Sequence, residues 1–272
     1  MNSNRPLIID THTHLCDRVF ANDRATVLIA SRTIGIVGVI TVSETLKDAK
    51  INIKLADIHP EILPAAGLYP GVVDLKQAEQ LEEFIIKNLN RLVAIGEVGL
   101  DHWIIKDEAE REIQHSIFER FIELSLSTDL PLNVHSRSAG RHAIEMLLEK
   151  NVEKVQMHAF DGKASSAMKG VEAGYFFSIP PSIVRSRQKQ NLVKQLPLES
   201  ILLETDSPVL GPDPEKRNVP ANILIGAEAI AEIKAVPVEQ VLETALENTC
   251  RLYGETERFQ KFKAEVLKLE NS

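Results

Sequence analysis

Cysteine is scarce in this 272-residue chain. The sequence has two cysteines, Cys16 and Cys250, which are far apart and match no CxxC spacing. A disulfide framework is therefore not expected. We expect the protein to be reduced and cytoplasmic. Glycine and proline are also modest, at 13 each, which excludes collagen-like and low-complexity architectures. A chain of this length buries roughly 75% of its unfolded surface, so its core needs no disulfides.

Long apolar runs and an excess of basic charge are missing too. No stretch approaches the roughly 18 apolar residues of a membrane span, and the opening MNSNRPLIID lacks the apolar run of a signal peptide. The 31 basic and 39 acidic residues give a net charge of -8. This excludes a strongly basic nucleic-acid coat. Nucleic acid remains possible as a substrate, because metal ions and a few arginines attract phosphates locally.

Short, β-branched apolar runs alternate with longer amphipathic stretches along the chain. The predicted strands are Leu7–Asp10, Ile36–Val42, Ile62–Gly67, Leu92–Glu97, Leu130–His135, Val155–Ala159, Tyr175–Ile179 and Ser200–Asp206. The predicted helices between and after them are Arg24–Arg32, Glu44–Ile58, Lys76–Asn88, Lys106–Thr128, Ala139–Lys150, Ala164–Ala173, Arg185–Gln195 and Ala221–Lys234. Near-continuous apolar strands indicate a parallel sheet covered on both faces by helices.

The spacing of these strands predicts the fold. Successive strand ends lie on average 28 residues apart, the length of one strand-plus-helix unit, and eight such units predict a (β/α)8 TIM barrel. The competing doubly wound sheet usually carries a GxGxxG after its first strand, and none is present. Two further helices, Val238–Tyr253 and Glu257–Leu269, are expected to pack on the outside. Since no linker or composition shift interrupts the chain, residues 1–272 are predicted to form one domain.

Histidines are concentrated where a barrel has its active site. His12, His14, His135 and His158 lie at or just after the C-terminal ends of predicted strands, the active-site face of such barrels. Three other histidines lie on predicted helices or a surface connection and are expected to be structural: His59, His115 and His142. An HxH pair offers two neutral imidazoles on the same side of a strand, which suits zinc and similar ions.

Carboxylates at two other strand ends complete a candidate metal centre. Glu97 can bridge two cations with one oxygen to each, and Asp206 ends the eighth strand. The candidate ligands are therefore His12, His14, Glu97, His135, His158 and Asp206. His12 and His14 with Asp206 are expected to hold one divalent ion, His135 and His158 the other, with Glu97 and a water joining them. Structural alternatives are a salt bridge for Glu97, a helix cap for Asp206 and hydrogen-bonded core histidines.

Three neighbouring residues suggest supporting roles. Arg137 follows His135 by two residues, and its planar guanidinium suits phosphate oxygens, with a surface ion pair as the alternative. Glu204 lies two residues before Asp206, so it is expected to face the barrel interior and to hydrogen-bond a neighbouring group. Cys16 lacks a general base and is interpreted as a small buried hydrophobe.

Five motifs in this order resemble a known family. DTHTHL, AIGEVGLD, VHSRSA, MHAFDG and LLETDSP are similar to the motifs of the TatD family of metal-dependent deoxyribonucleases, within the amidohydrolase superfamily, from about Ile8 to Tyr253. The resemblance implies a TIM barrel that binds two divalent ions, magnesium, manganese or zinc. It assigns the metal ligands to the same six positions: His12, His14, Glu97, His135, His158 and Asp206. It makes Asp206 catalytic and Arg137 a phosphate contact.

The chain departs from the family pattern in three motifs. GLYPG places Tyr69 and Gly71 where the family usually has substrate-contacting histidines. MHAFDG places Asp161 where a small hydroxyl is usual, and a carboxylate there repels phosphate unless it is paired. GLDHW introduces His102, which is one candidate to replace a missing imidazole.

Three functions are compatible with these residues. The first is a metal-dependent phosphodiesterase that acts on DNA or a small phosphodiester, with Glu97 bridging the ions, Asp206 as general base and Arg137 stabilising phosphoryl charge. The second is hydrolysis of a small ester, lactone or amide by the same centre. The third is a non-enzymatic barrel with a structural metal site. This function would be favoured if one of the six candidate metal ligands were missing from the sequence. No obligate protein partner is evident from the sequence.

Overall fold

The chain folds into a barrel of eight parallel strands, β1 to β8, that neighbour one another in sequence order. A computed structural model describes residues 7–270. The strands are Ile8–Thr13 (β1), Ile36–Thr41 (β2), Ile62–Ala66 (β3), Ala94–Gly99 (β4), Leu132–His135 (β5), Val155–Met157 (β6), Phe176–Ile179 (β7) and Ile201–Leu203 (β8). This order confirms the predicted (β/α)8 TIM barrel.

Helices follow the strands and cover the outside of the barrel. They are Arg24–Thr33 (α1), Leu46–Ile58 (α2), Leu75–Lys87 (α3), Glu108–Thr128 (α4), Gly140–Glu149 (α5), Ala164–Glu172 (α6), Arg187–Gln195 (α7), Ile223–Lys234 (α8), Val238–Tyr253 (α9) and Glu257–Glu270 (α10). Every predicted helix is present, with ends that differ by one or two residues. Among residues 7–270, no helix is long and apolar enough to cross a membrane.

The first and last strands differ most from their predicted bounds. β1 continues past Asp10 because Thr13 still pairs with Thr41 of β2. β8 stops at Leu203, since the following segment turns over the barrel mouth and Asp206 takes a left-handed backbone conformation (φ 55°). A short aspartate tolerates this conformation better than most residues.

Backbone hydrogen bonds join the segment after β8 to β1 and close the barrel at its C-terminal end. The Asp206 N–H donates to the His12 carbonyl at 2.9 Å, and the His14 N–H donates to the Ser207 carbonyl at 2.7 Å. The two segments that carry three of the predicted ligands are therefore fixed against each other.

Helix α10 covers the N-terminal mouth of the barrel, which specifies where on the outside of the barrel this predicted helix packs. Arg258 donates to the carbonyl of Ile62, the first residue of β3, at 3.0 Å. Phe259 and Phe262 are buried in the apolar cluster at this end. Gly38 in β2 makes room for one ring, because a Cβ there would lie 2.8 Å from Phe262. Within residues 7–270, α10 thus lies over the N-terminal end of the barrel.

Candidate metal centre

The six predicted ligands meet at the C-terminal end of the barrel. A cavity of about 400 Å³ opens there. Five of the ligands line this cavity, namely His14, Glu97, His135, His158 and Asp206. The sixth, His12, is completely buried beside them. The placement agrees with the predicted positions, since all six lie at or after strand ends.

One oxygen of Glu97 faces the HxH pair. Nε2 of His14 lies 3.6 Å from Oε2 of Glu97 and 3.2 Å from Oδ1 of Asp206. Nε2 of His12 lies 3.2 Å from Nε2 of His14 and 3.5 Å from the same Asp206 oxygen. Four potential ligand atoms, from three segments of the chain, thus lie close together.

The other oxygen of Glu97 faces the two later histidines. Oε1 of Glu97 lies 2.6 Å from Nδ1 of His135 and 3.4 Å from Nε2 of His158. Potential ligand atoms of Glu97, His135 and His158 all fall within 4.8 Å of one another, as do those of Glu97, His12 and His14. Glu97 is the member that both groups share.

Two buried atoms in this centre have no hydrogen-bond partner within residues 7–270: Nδ1 of His135 and Oδ1 of Asp206. Burying a polar atom without a partner costs free energy, so such atoms are rare in folded proteins. Imidazole nitrogen and carboxylate oxygen are the ligands that zinc and related divalent ions prefer. The donor set therefore fits a divalent metal, and metal coordination would satisfy both atoms.

Two of the histidines are oriented by buried polar groups from other parts of the barrel. Nδ1 of His12 lies 2.8 Å from Oδ1 of Asn133. Nδ1 of His158 lies 3.4 Å from Oε2 of Glu204, whose other oxygen accepts from the Ala159 N–H at 2.9 Å. Partners of this kind fix the ring and its tautomer, which leaves Nε2 for the metal. Glu204 faces the interior, as its position before Asp206 predicts.

His135 is oriented by a carboxylate that the sequence analysis did not assign. Nε2 of His135 lies 3.1 Å from Oδ2 of Asp101. Tyr69 donates its hydroxyl to the same oxygen at 3.0 Å. Tyr69, which departs from the family pattern, therefore contacts the predicted ligand His135 through Asp101 and also lines the cavity.

Burial and neighbouring charges set the protonation of the metal-free centre. Burial, reinforced by repulsion from His158, lowers the pKa of His12 to about 3, so its imidazole is neutral. Burial opposes ionisation of Glu97, but contacts with His135 and His158 hold its pKa well below the usual value. Burial also disfavours protonated His14, yet Asp206 and Glu97 outweigh it and raise the pKa to about 9. A metal ion bound through Nε2 of His14 would therefore displace a proton from this ring.

The remaining residues singled out in the sequence take different positions. Arg137 is exposed, lines the cavity and forms no ion pair within residues 7–270. Asp161 also lines the cavity, but one of its oxygens accepts from the Ser138 N–H at 2.9 Å, which partly compensates its charge. Cys16 is buried, as expected of a small hydrophobe.

The hypothesis that His102 replaces a missing imidazole is wrong. Its ring does not line the metal cavity. It lies 5.1 Å from the ring of His142 in α5 and 5.7 Å from that of His115 in α4. The loop after β4 directs this side chain outward, between two helices.

Of the two supporting residues Asn133 and Asp101, only Asn133 had a signal in the sequence. Asn133 lies two residues before His135, so strand alternation places both on the barrel's inner side. Asp101 follows Glu97 by four residues in a turn, and a turn has no fixed periodicity from which its direction can be read.

A parallel α/β barrel whose strand ends present histidines and carboxylates to one cavity is the architecture of metal-dependent hydrolases. The chain belongs to the TatD related DNase family, whose model matches residues 9–254. It is accordingly a metal-dependent hydrolase of that family.

Relatives and solved structures agree with this assignment. The chain is 44% identical over 258 residues to the human protein named deoxyribonuclease TATDN3, covering 90% of this chain and 94% of the relative. It is 30% identical to the Bacillus subtilis protein named uncharacterized metal-dependent hydrolase YabD, covering 91% and 99% of the two chains. The crystal structure of YJJV, a TatD homologue from Escherichia coli, superposes with a TM-score of 0.84 at 25% identity, covering 91% and 98%.

Proposed function

We propose that this protein is a phosphodiesterase that hydrolyses DNA with two divalent ions, magnesium, manganese or zinc, shared through Glu97. One observation carries the proposal: the two oxygens of Glu97 face two separate ligand groups. Oε2 is 3.6 Å from Nε2 of His14, and Oε1 is 2.6 Å from Nδ1 of His135. A carboxylate placed in this way is suited to bridging a pair of ions, and paired ions are typical of enzymes that cleave phosphodiesters.

We divide the proposed ligands into two groups, each beside one oxygen of Glu97. His12, His14 and Asp206 would hold one ion, and His135 and His158 the other. When bound, such ions polarise a phosphoryl oxygen and lower the pKa of a bound water. Asp206 is the proposed proton acceptor, because its side chain lines the cavity and its carboxylate has a second oxygen besides the one that faces the HxH pair.

Arg137 is the proposed phosphate-binding group. Its guanidinium lines the cavity and is not neutralised by a carboxylate within residues 7–270. A planar guanidinium binds two phosphate oxygens at once and stabilises charge that develops on them. A groove of about 900 Å³ adjoins the metal cavity, shares Asp161 with it, and has room for the flanking part of a polymer.

The comparisons favour DNA over a carbonyl substrate. The family description and the human relative's name both specify deoxyribonuclease. The ester, lactone or amide alternative has no comparable support, and no predicted ligand is missing as the non-enzymatic alternative requires. We further propose that the protein acts in the cytoplasm, because both cysteines are free, and that it needs no obligate protein partner.

A substrate comparison with Arg137→Ala tests this function. The metal-loaded wild type should cleave a short single-stranded oligodeoxynucleotide. Arg137→Ala should lower kcat/KM for this oligodeoxynucleotide by about ten- to a hundredfold, because a charge-assisted hydrogen bond to phosphate is lost. The same substitution should leave hydrolysis of a neutral lactone unaffected. Lys87→Ala is the control, because it removes one positive charge from the exposed face of α3. Turnover of the lactone alone by the wild type would overturn the proposal.

A further inference from the structure

The only tryptophan of the chain packs against Arg137, a residue that lines the metal cavity. Trp103 is 57% exposed and sits in the loop between β4 and α4. A single exposed apolar side chain needs no special explanation. The two charged side chains that pack against Trp103, however, require an explanation.

Two cations pack on the Trp103 ring. Cζ of Arg137 lies 5.2 Å from the ring centroid and Nζ of Lys106 lies 5.1 Å from it. Both distances are within the range of cation–π attraction. Neither cation forms an ion pair in the described part of the chain. The indole is thus an exposed aromatic surface with positive charge that no acidic side chain neutralises.

The loop that carries Trp103 is held in place before any ligand arrives. Oδ1 of Asp101 accepts hydrogen bonds from the Trp103 and Ile104 N–H groups, each at 2.9 Å. The His102 N–H donates to the Arg137 carbonyl at 3.0 Å, which joins this loop to the loop after β5. Ordering a loop on binding costs conformational entropy, and a fixed loop avoids that cost.

The same contacts connect the ring to the metal centre. The second oxygen of Asp101 lies 3.1 Å from Nε2 of the predicted ligand His135. Arg137 lines the metal cavity and also contacts the ring. A phosphate bound by Arg137 therefore brings the adjoining nucleobase close to Trp103.

We infer that Trp103 is a stacking platform for an unpaired nucleobase of the DNA, next to the phosphate that Arg137 binds. The inference rests on the proposed function and adds a residue that binds substrate outside the metal centre. An aromatic ring beside cations suits single-stranded nucleic acid, because the ring stacks on a base while the cations bind phosphate. Stacking of this kind tolerates any base, since every base has a π face.

Fluorescence tests the stacking directly, because Trp103 is the sole tryptophan and therefore the sole source of tryptophan emission. Asp206→Asn, which should not cleave, is titrated with a labelled single-stranded oligodeoxynucleotide in magnesium. Anisotropy of the label measures binding, and tryptophan emission measures stacking. Emission should fall in parallel with binding. Inorganic tripolyphosphate, an anion without bases, should leave most of the emission unchanged.

Kinetics of metal-loaded variants provide the second readout. Trp103→Ala should raise KM for the oligodeoxynucleotide by roughly 5- to 150-fold with little change in kcat, whereas Trp103→Phe should keep most of the affinity. Ile104→Ala is the matched control, since Ile104 is a 49% exposed apolar residue on the same loop. Binding without a change in emission, or equal KM values for Trp103→Ala and Ile104→Ala, would overturn the platform and leave the proposed function intact. A wild type that neither binds nor cleaves the oligodeoxynucleotide would overturn both.

Discussion

The carboxylate of Asp101 lies 3.1 Å from Nε2 of His135, on the side of the ring away from Glu97. This contact fixes the His135 tautomer and leaves Nδ1 for a metal. Groups that orient a ligand in this way typically contribute about 10- to 100-fold to metal affinity. Asp101 thus acts on the centre without being one of its predicted ligands.

The first prediction concerns this contact. Asp101→Asn keeps one oxygen for the Trp103 and Ile104 N–H groups but replaces the other with an amide nitrogen, which cannot accept from His135. Metal affinity, measured by competition with a chelator, should fall by about 10- to 100-fold. Tyr69→Phe is the control, because it removes only the hydroxyl that donates to Asp101, and its effect should be smaller. Unchanged affinity in Asp101→Asn would show that His135 is oriented by other contacts.

The second prediction concerns domain organisation. We propose that α10 belongs to the same cooperative unit as the barrel, because Phe259 is buried in the cluster that closes the N-terminal mouth. Phe259→Ala should lower the stability of the whole chain by about 3–5 kcal/mol in a single unfolding transition. Ile86→Ala, at a 55% exposed position on α3, should have little effect. Calorimetry that resolves a separate early transition for Phe259→Ala would contradict the single domain.

The third prediction concerns pH and the histidine cluster outside the metal centre. Burial, then repulsion from Arg111, His142 and His115, lowers the pKa of His102 from 6.5 to about 4. The unfolded chain therefore binds this proton at a higher pH than the folded chain does. The contribution of His102 to stability is present above pH 6.5 and declines as the pH falls towards 4.

His102→Gln removes that proton equilibrium. Tm of the metal-free variant should therefore fall less steeply than that of the metal-free wild type between pH 6.5 and 4. Each kcal/mol of difference corresponds to about 2–4 °C in Tm for a chain of this size class. Parallel Tm curves for the two proteins over this range would exclude a lowered pKa at His102.

Much of the fold and the placement of the proposed ligands was predictable, because both depend on regular spacing. Alternation along a strand relates His12 to His14, and the carboxyl ends of parallel strands meet at one end of a barrel. Glu97 and His135 could therefore be placed together although they lie on different strands. The family motifs reinforced each of these positions.

The structural features that the sequence did not predict depend mostly on irregular backbone or on contacts between distant residues. The direction of His102 depends on the turn after β4, and sequence patterns do not fix the dihedral angles of such a turn. β8 ends before Asp206 because that residue has a positive φ, which a run of apolar residues does not reveal. The covering of the barrel mouth by α10 depends on the small size of Gly38, a contact between residues far apart in sequence.

The fourth prediction concerns the shared carboxylate. Glu97→Ala should abolish tight binding of a pair of ions, because both ligand groups lose an oxygen. His115→Ala and His142→Ala are matched controls, since both histidines lie on helices outside the cavity. Elemental analysis after metal loading and desalting should give up to two ions per chain for the wild type and both controls, and fewer for Glu97→Ala. Equal metal content in all three variants would mean that strand-end residues are not the ligands.

Electron paramagnetic resonance of the manganese-loaded protein tests the bridging role of Glu97 most directly. Two Mn²⁺ ions joined by one carboxylate are close enough for exchange coupling, so the wild type with two equivalents of Mn²⁺ should give the spectrum of a coupled pair. Glu97→Ala should give only the hyperfine pattern of isolated ions. A wild-type spectrum of isolated ions at both one and two equivalents would contradict a centre in which Glu97 joins two metals.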